Sequence, residues 1–355
     1  MKQDMLKDKV RGCLMAGAAG DALGYEVEFI NRRTILSRFG ERGITTFELD
    51  RWGKALISDD TQMTLFTANG LLNADRLQID PIDAIVRAYL DWYYTQTPIK
   101  NKTKSCWLSD VEALYSLRAP GTTCMTALGD IACGADPYNK SKGCGGIMRV
   151  APIALHACAH HSHDTTRTAQ LAAEASRCTH KHPLGFLPSA LFAVLLHKIV
   201  PLTPQQVRDD IDRLVSETLD ILEVIYPEAF AEDKAYLKSL TEKAVSLAHS
   251  DISDADAISQ LGEGWVAEET WAIALYCALR HIDSIEDAII AAVNHNGDSD
   301  STGSVCGNIM GAIYGYEHIK GLNMFCPEGK NIEDTLELAE IILTIADELS
   351  NRFSD

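Results

Sequence analysis

Val10-Arg11-Gly12-Cys13-Leu14-Met15-Ala16-Gly17-Ala18-Ala19-Gly20-Asp21-Ala22-Leu23-Gly24 is an apolar stretch crowded with Gly and Ala. Small residues at that density read as a buried helix packed closely against neighbouring backbones. Each Gly weakens a helix by roughly 1 kcal/mol relative to Ala, so close packing or a ligand has to offset it. A second small-residue, apolar helix is expected near the other end of the chain, running on from Gly303 through Tyr316. Between and around the two, helical periodicity or apolar runs appear over 59–73, 82–95, 164–178, 184–199, 271–279, 287–293 and 332–349. Shorter helices fit 107–117 and 121–133, and one or two more fit 203–250. The stretch 31–54, punctuated by Gly40, Gly43 and Gly53, reads as a surface loop with room for one short strand at 44–48. No strong alternating run and no fixed-period repeat is found. The expected fold class is all-α, a single compact many-helix domain over residues 5–350 with its site residues at helix ends.

Composition narrows the function classes. With 355 residues and 46% of them hydrophobic, the chain can bury a full core without staples. A formal net charge of -18 argues against a nucleic-acid partner, because phosphate backbones are bound through clustered Lys and Arg. Ten scattered cysteines without a CxxC pair suggest reduced, mostly buried thiols. The charged N-terminus lacks a signal-peptide core and no apolar run is long enough to span a bilayer. A soluble, cytoplasmic monomer is expected.

Two acidic clusters carry chemistry. Val293-Asn294-His295-Asn296-Gly297-Asp298-Ser299-Asp300-Ser301-Thr302-Gly303 places two carboxylates two residues apart among hydroxyls. Carboxylates and hydroxyls without Cys or His favour a hard cation. An ordinary helix cap uses the same residue types. An EF-hand is excluded, since its bidentate Glu would fall on Ile309. Ser58-Asp59-Asp60-Thr61 repeats the pattern at another helix start, with one carboxylate more than a cap needs. Glu28 emerges among apolar residues and reads locally as a solvated acid at a helix end. Gly143-Cys144-Gly145-Gly146 exposes consecutive backbone amides, an arrangement that cradles phosphate or ribose oxygens. It lacks the Walker Lys and the dinucleotide fingerprint. His160, His161 and His163 fall in a polar turn and are read as solvated.

Taken in order, Gly20-Asp21-Ala22-Leu23-Gly24 with Glu28, Ser58-Asp59-Asp60-Thr61, the segment from Gly143 through Met148 to Pro152, Thr179-His180, and Gly297-Asp298-Ser299-Asp300-Ser301 resemble the ADP-ribosylglycohydrolase family across residues 11–315. Members of that family remove ADP-ribose from modified arginine or act on other ADP-ribosyl linkages. The resemblance implies an all-helical fold with a binuclear cleft holding two Mg²⁺ (or Mn²⁺). Ser58, Asp59 and Asp60 would form one ligand group, and Asp298, Asp300 and Ser301 the other. Ser141, Gly143, Cys144, Gly145, Gly146, Met148 and His180 would hold the substrate. Cleaving a ribosyl C1 bond passes through an oxocarbenium-like state. Metal-activated water is therefore expected as nucleophile, with Glu28, Asp60 or Asp300 as proton acceptor. The expected partners are ADP-ribosylated protein, with arginine the first choice of linkage, and ADP-ribose. Serine, ester or nucleobase linkages are the enzymatic alternative; a non-catalytic ADP-ribose binder or a toxin-neutralising protein is the alternative of another class. The 31–53 and 262–270 loops are expected to shape the cleft mouth. Many relatives carry Thr at Ser58 and Ser301, Asn at Cys144, and Gly-Gly where this chain has Asn296-Gly297. Ser keeps the oxygen ligand, whereas Cys144 removes an amide beside the substrate.

Overall fold

The two small-residue helices find each other. In the computed structural model, which describes residues 2–101 and 103–351, Gln3–Tyr25 and Ser299–Tyr314 pack backbone to backbone. A Cβ placed on Gly20 would lie within 3.0 Å of the Gly303 carbonyl, one on Gly307 equally close to the carbonyl of Ala16, and one on Gly311 to that of Gly12. Close approach, and not a ligand, is what offsets the weak helix propensity of these glycines. Asn308 locks the register by donating its side-chain amide to the Cys13 carbonyl at 2.8 Å.

Other helices wrap this pair. Ala267–Arg280, Ile285–Val293 and Ala339–Ser350 pack against one or both members. Asp59–Leu77 lies alongside Pro81–Thr95, and the Trp92 indole of the latter donates to the Gln62 side chain at 3.0 Å. Pro183–Ile199 is apolar on nearly every face and correspondingly buried. Among the described residues no sheet forms, only two isolated bridges, Ala55 with Leu336 and Gly143 with Val266. No helix there is long and apolar enough to cross a membrane, and all ten cysteines are free. The all-α expectation therefore holds.

Local expectations fared unevenly. The strand admitted at 44–48 does not form: Asn294 takes a neighbouring strand's place, its side chain accepting from Ile44 N at 2.8 Å and donating to Ile44 O at 2.9 Å. Arg32–Phe39, read as loop, is a helix capped by Asn31, which accepts from Thr34 N at 3.0 Å. The 332–349 helix is two pieces, Ile332–Thr335 and Ala339–Ser350. Between them Leu338 turns to φ 59 and Glu337 N bonds the Ala55 carbonyl at 3.0 Å. The 107–117 stretch forms two short 3₁₀ turns, Trp107–Asp110 and Glu112–Tyr115.

Candidate active site

Each acidic cluster is a helix start, as its composition requires. Ser58 caps Asp59–Leu77 by accepting from Asp60 N at 3.2 Å, and Asp298 caps Ser299–Tyr314 by accepting from Ser301 N at 3.2 Å. Capping uses only part of each carboxylate cluster. Oxygens of Glu28, Asp298 and Asp300 lie within 4.8 Å of one another, and all three side chains are buried. Glu28 Oε2 and Asp60 Oδ2 are buried without any hydrogen-bond partner. Stranded anionic oxygens of this kind are costly to bury unless a cation or proton meets them. Glu28 is thus not the solvated acid its local sequence suggested.

The electrostatics follow from that crowding. Burial, then the charges of Asp300, Asp298, Asp59 and Asp21, push Glu28 up to about 10. Burial first, and the surrounding aspartates after it, hold Asp60 and Asp298 well above the usual carboxylate range. Asp59 is raised mainly by burial, against the pull of the Gly121 amide, which donates to its Oδ2 at 3.1 Å. Carboxylate oxygens with hydroxyl neighbours and no imidazole among them suit a hard divalent ion. The residues present fit that group.

A cleft of ≈ 390 Å³ opens over these acids. Glu28, Asp59, Asp60, Asp298, Asp300 and Ser301 line it, together with Gly143, Cys144, Gly145, Met148 and His180. Three of the expected residues stand behind it. Ser58 is wholly buried as a cap. Ser141 supports the turn, its Oγ accepting from Gly143 N at 3.2 Å and lying 3.0 Å from the Thr123 hydroxyl. Gly146 faces the other way, its carbonyl accepting from Ser176 Oγ at 3.0 Å. Burial, then the Arg149 charge, lower His180 to about 3, so it faces the cleft as a neutral ring beside Gly143 and Gly145. The Cys144 thiol donates to Asp298 Oδ2 at 2.7 Å, putting sulfur against the acidic cluster.

Several contributors escaped sequence reading. Asp21, mid-helix and fully buried, accepts from Ser58 N at 2.9 Å, from Thr61 N at 3.0 Å and from the Thr61 hydroxyl. It anchors the whole 58–61 turn from below. Burial, then Asp300, raise it to about 7. A lone carboxylate within the otherwise small and apolar stretch 12–24 was the signal available. Residues 119–123, read only as the break at 119–121 between two short helices and the start of the second, form one wall, and the Arg118 carbonyl accepts from Asp59 N at 2.9 Å. Ala119 adopts φ 54, a strained conformation of the kind that collects at functional sites. The mouth is set by Phe29 and Trp265, whose rings stack with centroids 6.2 Å apart. Trp265 lies in the 262–270 loop, as expected of the mouth; residues 31–53 do not line the cleft. That loop is stitched to both halves of the site, since Cys144 N bonds the Trp265 carbonyl at 3.3 Å and Asp298 N the Glu263 carbonyl at 2.8 Å.

Comparison with known proteins gives the chain a family and its fold a counterpart. A family model described as ADP-ribosylglycohydrolase matches residues 2–353. The ADP-ribosylhydrolase ARH3 of Mus musculus is 25% identical over 341 residues, covering 88% of this chain and 85% of its own. The ADP-ribosyl-[dinitrogen reductase] glycohydrolase of Rhodospirillum rubrum is 25% identical over 315 residues, covering 88% and 87%. A solved structure titled "ADP-ribosylglycohydrolase-related protein complex" superposes with a TM-score of 0.63 over 98% of both chains at 22% identity.

Proposed function

The chain belongs to the ADP-ribosylglycohydrolase family, and from that premise we propose that it hydrolyses the ribosyl C1 bond linking ADP-ribose to an arginine side chain of a modified protein. The observation that carries this reading is the meeting of Glu28, Asp298 and Asp300 within 4.8 Å, beside an unpartnered Asp60 oxygen, on the floor of one cleft. Ser58, Asp59 and Asp60 on one side, with Asp298, Asp300 and Ser301 on the other, are the proposed holders of two Mg²⁺ (or Mn²⁺). Such ions would supply Lewis-acid polarisation of substrate oxygens and a lowered pKa for water.

The chain's own residues would do the rest. The 143–145 turn would lie against the diphosphate, its Gly143 and Cys144 amides already held by Ser141 Oγ and the Trp265 carbonyl, with Met148 and the neutral His180 ring beside it. Asp59 and Asp300 orient the ribose end through the acidic floor. Glu28 is the proposed proton acceptor. Without a cation it holds its own proton at neutral pH, its pKa being about 10; positive charge on the floor reverses that push and frees it to accept one. The wall at 119–123 and the Phe29–Trp265 pair keep bulk water from the reacting carbon and face the modified side chain.

The test is incubation with ADP-ribosyl-arginine protein, ADP-ribosyl-serine peptide and ADP-ribose esters, each with Mg²⁺, Mn²⁺ or chelator, following release of ADP-ribose. Cation-dependent release from the arginine substrate is expected. Release from the serine peptide or the esters alone would move the linkage and keep the hydrolase; release from none would overturn the enzyme reading. Asp59→Ala and Asp300→Ala should each abolish release with an unchanged helical circular-dichroism spectrum. Glu28→Gln should lower turnover by about 10²–10⁴-fold, the range of a lost general base, and full turnover with cation bound would exclude Glu28 from that role.

A further inference from the structure

The far end of the Asp59–Leu77 helix carries a second constellation, unconnected to the cleft. His156 and His160 lie one helical turn apart and face Asp75 from the Ala151–Ala159 helix and its C-cap. Nε2 of His156 is 2.7 Å, and Nε2 of His160 3.2 Å, from the same Asp75 oxygen, Oδ2. The imidazole rings themselves are 4.1 Å apart between centroids. Nδ1 of His160 bonds the His156 carbonyl at 3.0 Å. A carbonyl can only accept, so Nδ1 bears a proton, and Nε2, facing the Asp75 carboxylate, is the nitrogen whose proton a metal ion would displace. Two imidazole nitrogens and a carboxylate oxygen are thus focused on one point.

We infer that Asp75, His156 and His160 form a binding site for a late first-row divalent metal ion such as Zn²⁺, Ni²⁺ or Cu²⁺, structural in role and distinct from the acidic cleft. Imidazole donors select these ions over Mg²⁺. Zinc takes nitrogen and carboxylate oxygen at about 2.0–2.2 Å, which places the donors of a tetrahedral site roughly 3.3 Å apart. The 2.7 and 3.2 Å separations need to open only slightly, and His160, with 46% of its side chain exposed, has room to move. The Nδ1 bond to the His156 carbonyl is the kind of outer-shell contact that orients a ligating ring. One charge of +2 at the focus also does what two neighbouring imidazolium protons would do only against their mutual repulsion. Solvent completes the coordination on the exposed side. Asp75 stands fifteen residues beyond Asp60, or about 22 Å along the helix. The ion would therefore clip the distal ends of two helices whose other ends, at Asp59 and next to the glycine turn, frame the cleft.

Zn²⁺ alone is titrated calorimetrically into the full chain held in saturating Mg²⁺, against Asp75→Asn and His160→Gln, with Co²⁺ as a spectroscopic probe. Wild type should take up one Zn²⁺ that either substitution weakens at least tenfold, while ADP-ribose release in Mg²⁺ stays unchanged. Bound Co²⁺ should show ligand-field bands without thiolate charge transfer. Equal zinc affinity in wild type and both variants, a thiolate band, or no uptake by wild type would overturn the site and leave a His–Asp ion pair.

Discussion

At the scale of single residues, Asp21 shows how much of a site can rest on a side chain that never lines it. Its two oxygens receive the Ser58 and Thr61 amides and the Thr61 hydroxyl, fixing the turn that presents Asp59 and Asp60. In Asp21→Asn the NH₂ group that replaces Oδ1 meets the Ser58 amide donor to donor, and the remaining oxygen alone must serve the Ser58 amide and both Thr61 donors. Outer-shell partners of metal ligands are typically worth about 10–100-fold in metal affinity. The Mg²⁺ concentration giving half-maximal ADP-ribose release should rise by that factor, with turnover recovering at high Mg²⁺. An unaltered Mg²⁺ dependence would show that the turn needs no such anchor. Asp59, Asp60, Asp298 and Asp300 could be picked out from sequence because capping and metal binding are both written within a few consecutive residues. Asp21 could not be assigned a role, since that role depends on a helix passing beneath a turn 37 residues further along the chain. The wall at 119–123 was hidden for the same reason: its contact with Asp59 spans 62 residues.

Helices impose their own test, because at Gly307 the central pair meets backbone to backbone with no side chain to give way. In Gly307→Ala the new methyl would press on the Ala16 carbonyl and the Gly17 amide, both backbone. Overpacking of a rigid contact destabilises by about 1–3 kcal/mol, and the helix-propensity gain of roughly 1 kcal/mol only partly offsets it. Gly321, in Tyr316–Leu322, has nothing within 4 Å of the position a methyl would take and makes the control. Gly321→Ala should gain about 0.5–1 kcal/mol. Urea unfolding of the two variants should therefore shift the midpoint in opposite directions; a stabilised Gly307→Ala would mean the helices can part without loss. The long helices were legible because their apolar spacing is local. Arg32–Phe39 was missed since eight mostly polar residues ahead of a glycine carry little periodicity, although Asn31 was a readable cap. The break at Leu338 was invisible because its cause, the Ala55 backbone, lies far away in sequence.

Across the whole molecule the cleft draws on segments from Glu28 to Ser301, so the site and the fold stand or fall together. That unity makes the acidic floor a contributor to global stability. Glu28 and Asp21 keep their protons to about 10 and about 7 in the folded chain without cations, with Asp59, Asp60 and Asp298 also raised, whereas the unfolded chain loses such protons near pH 4. The folded state therefore binds more protons than the unfolded state throughout the neutral range, and stability must fall as pH rises. Buried His180 acts with the opposite sign, but its penalty is confined below the unfolded histidine value of about 6.5. Thiols, raised by burial as Cys124 is to about 11, enter only above about pH 8.5. Between about pH 6.5 and about pH 8 the carboxylates of the floor thus dominate the linkage. Chelator-treated protein should melt at progressively lower temperature across that window in differential scanning calorimetry. Saturating Mg²⁺ replaces the protons as counter-charge and adds binding free energy to the folded state alone, so the melting temperature should be higher and nearly level, and the gap between the two curves should widen toward pH 8. Parallel curves would mean that the cation does not sit on the acids that carry these protons.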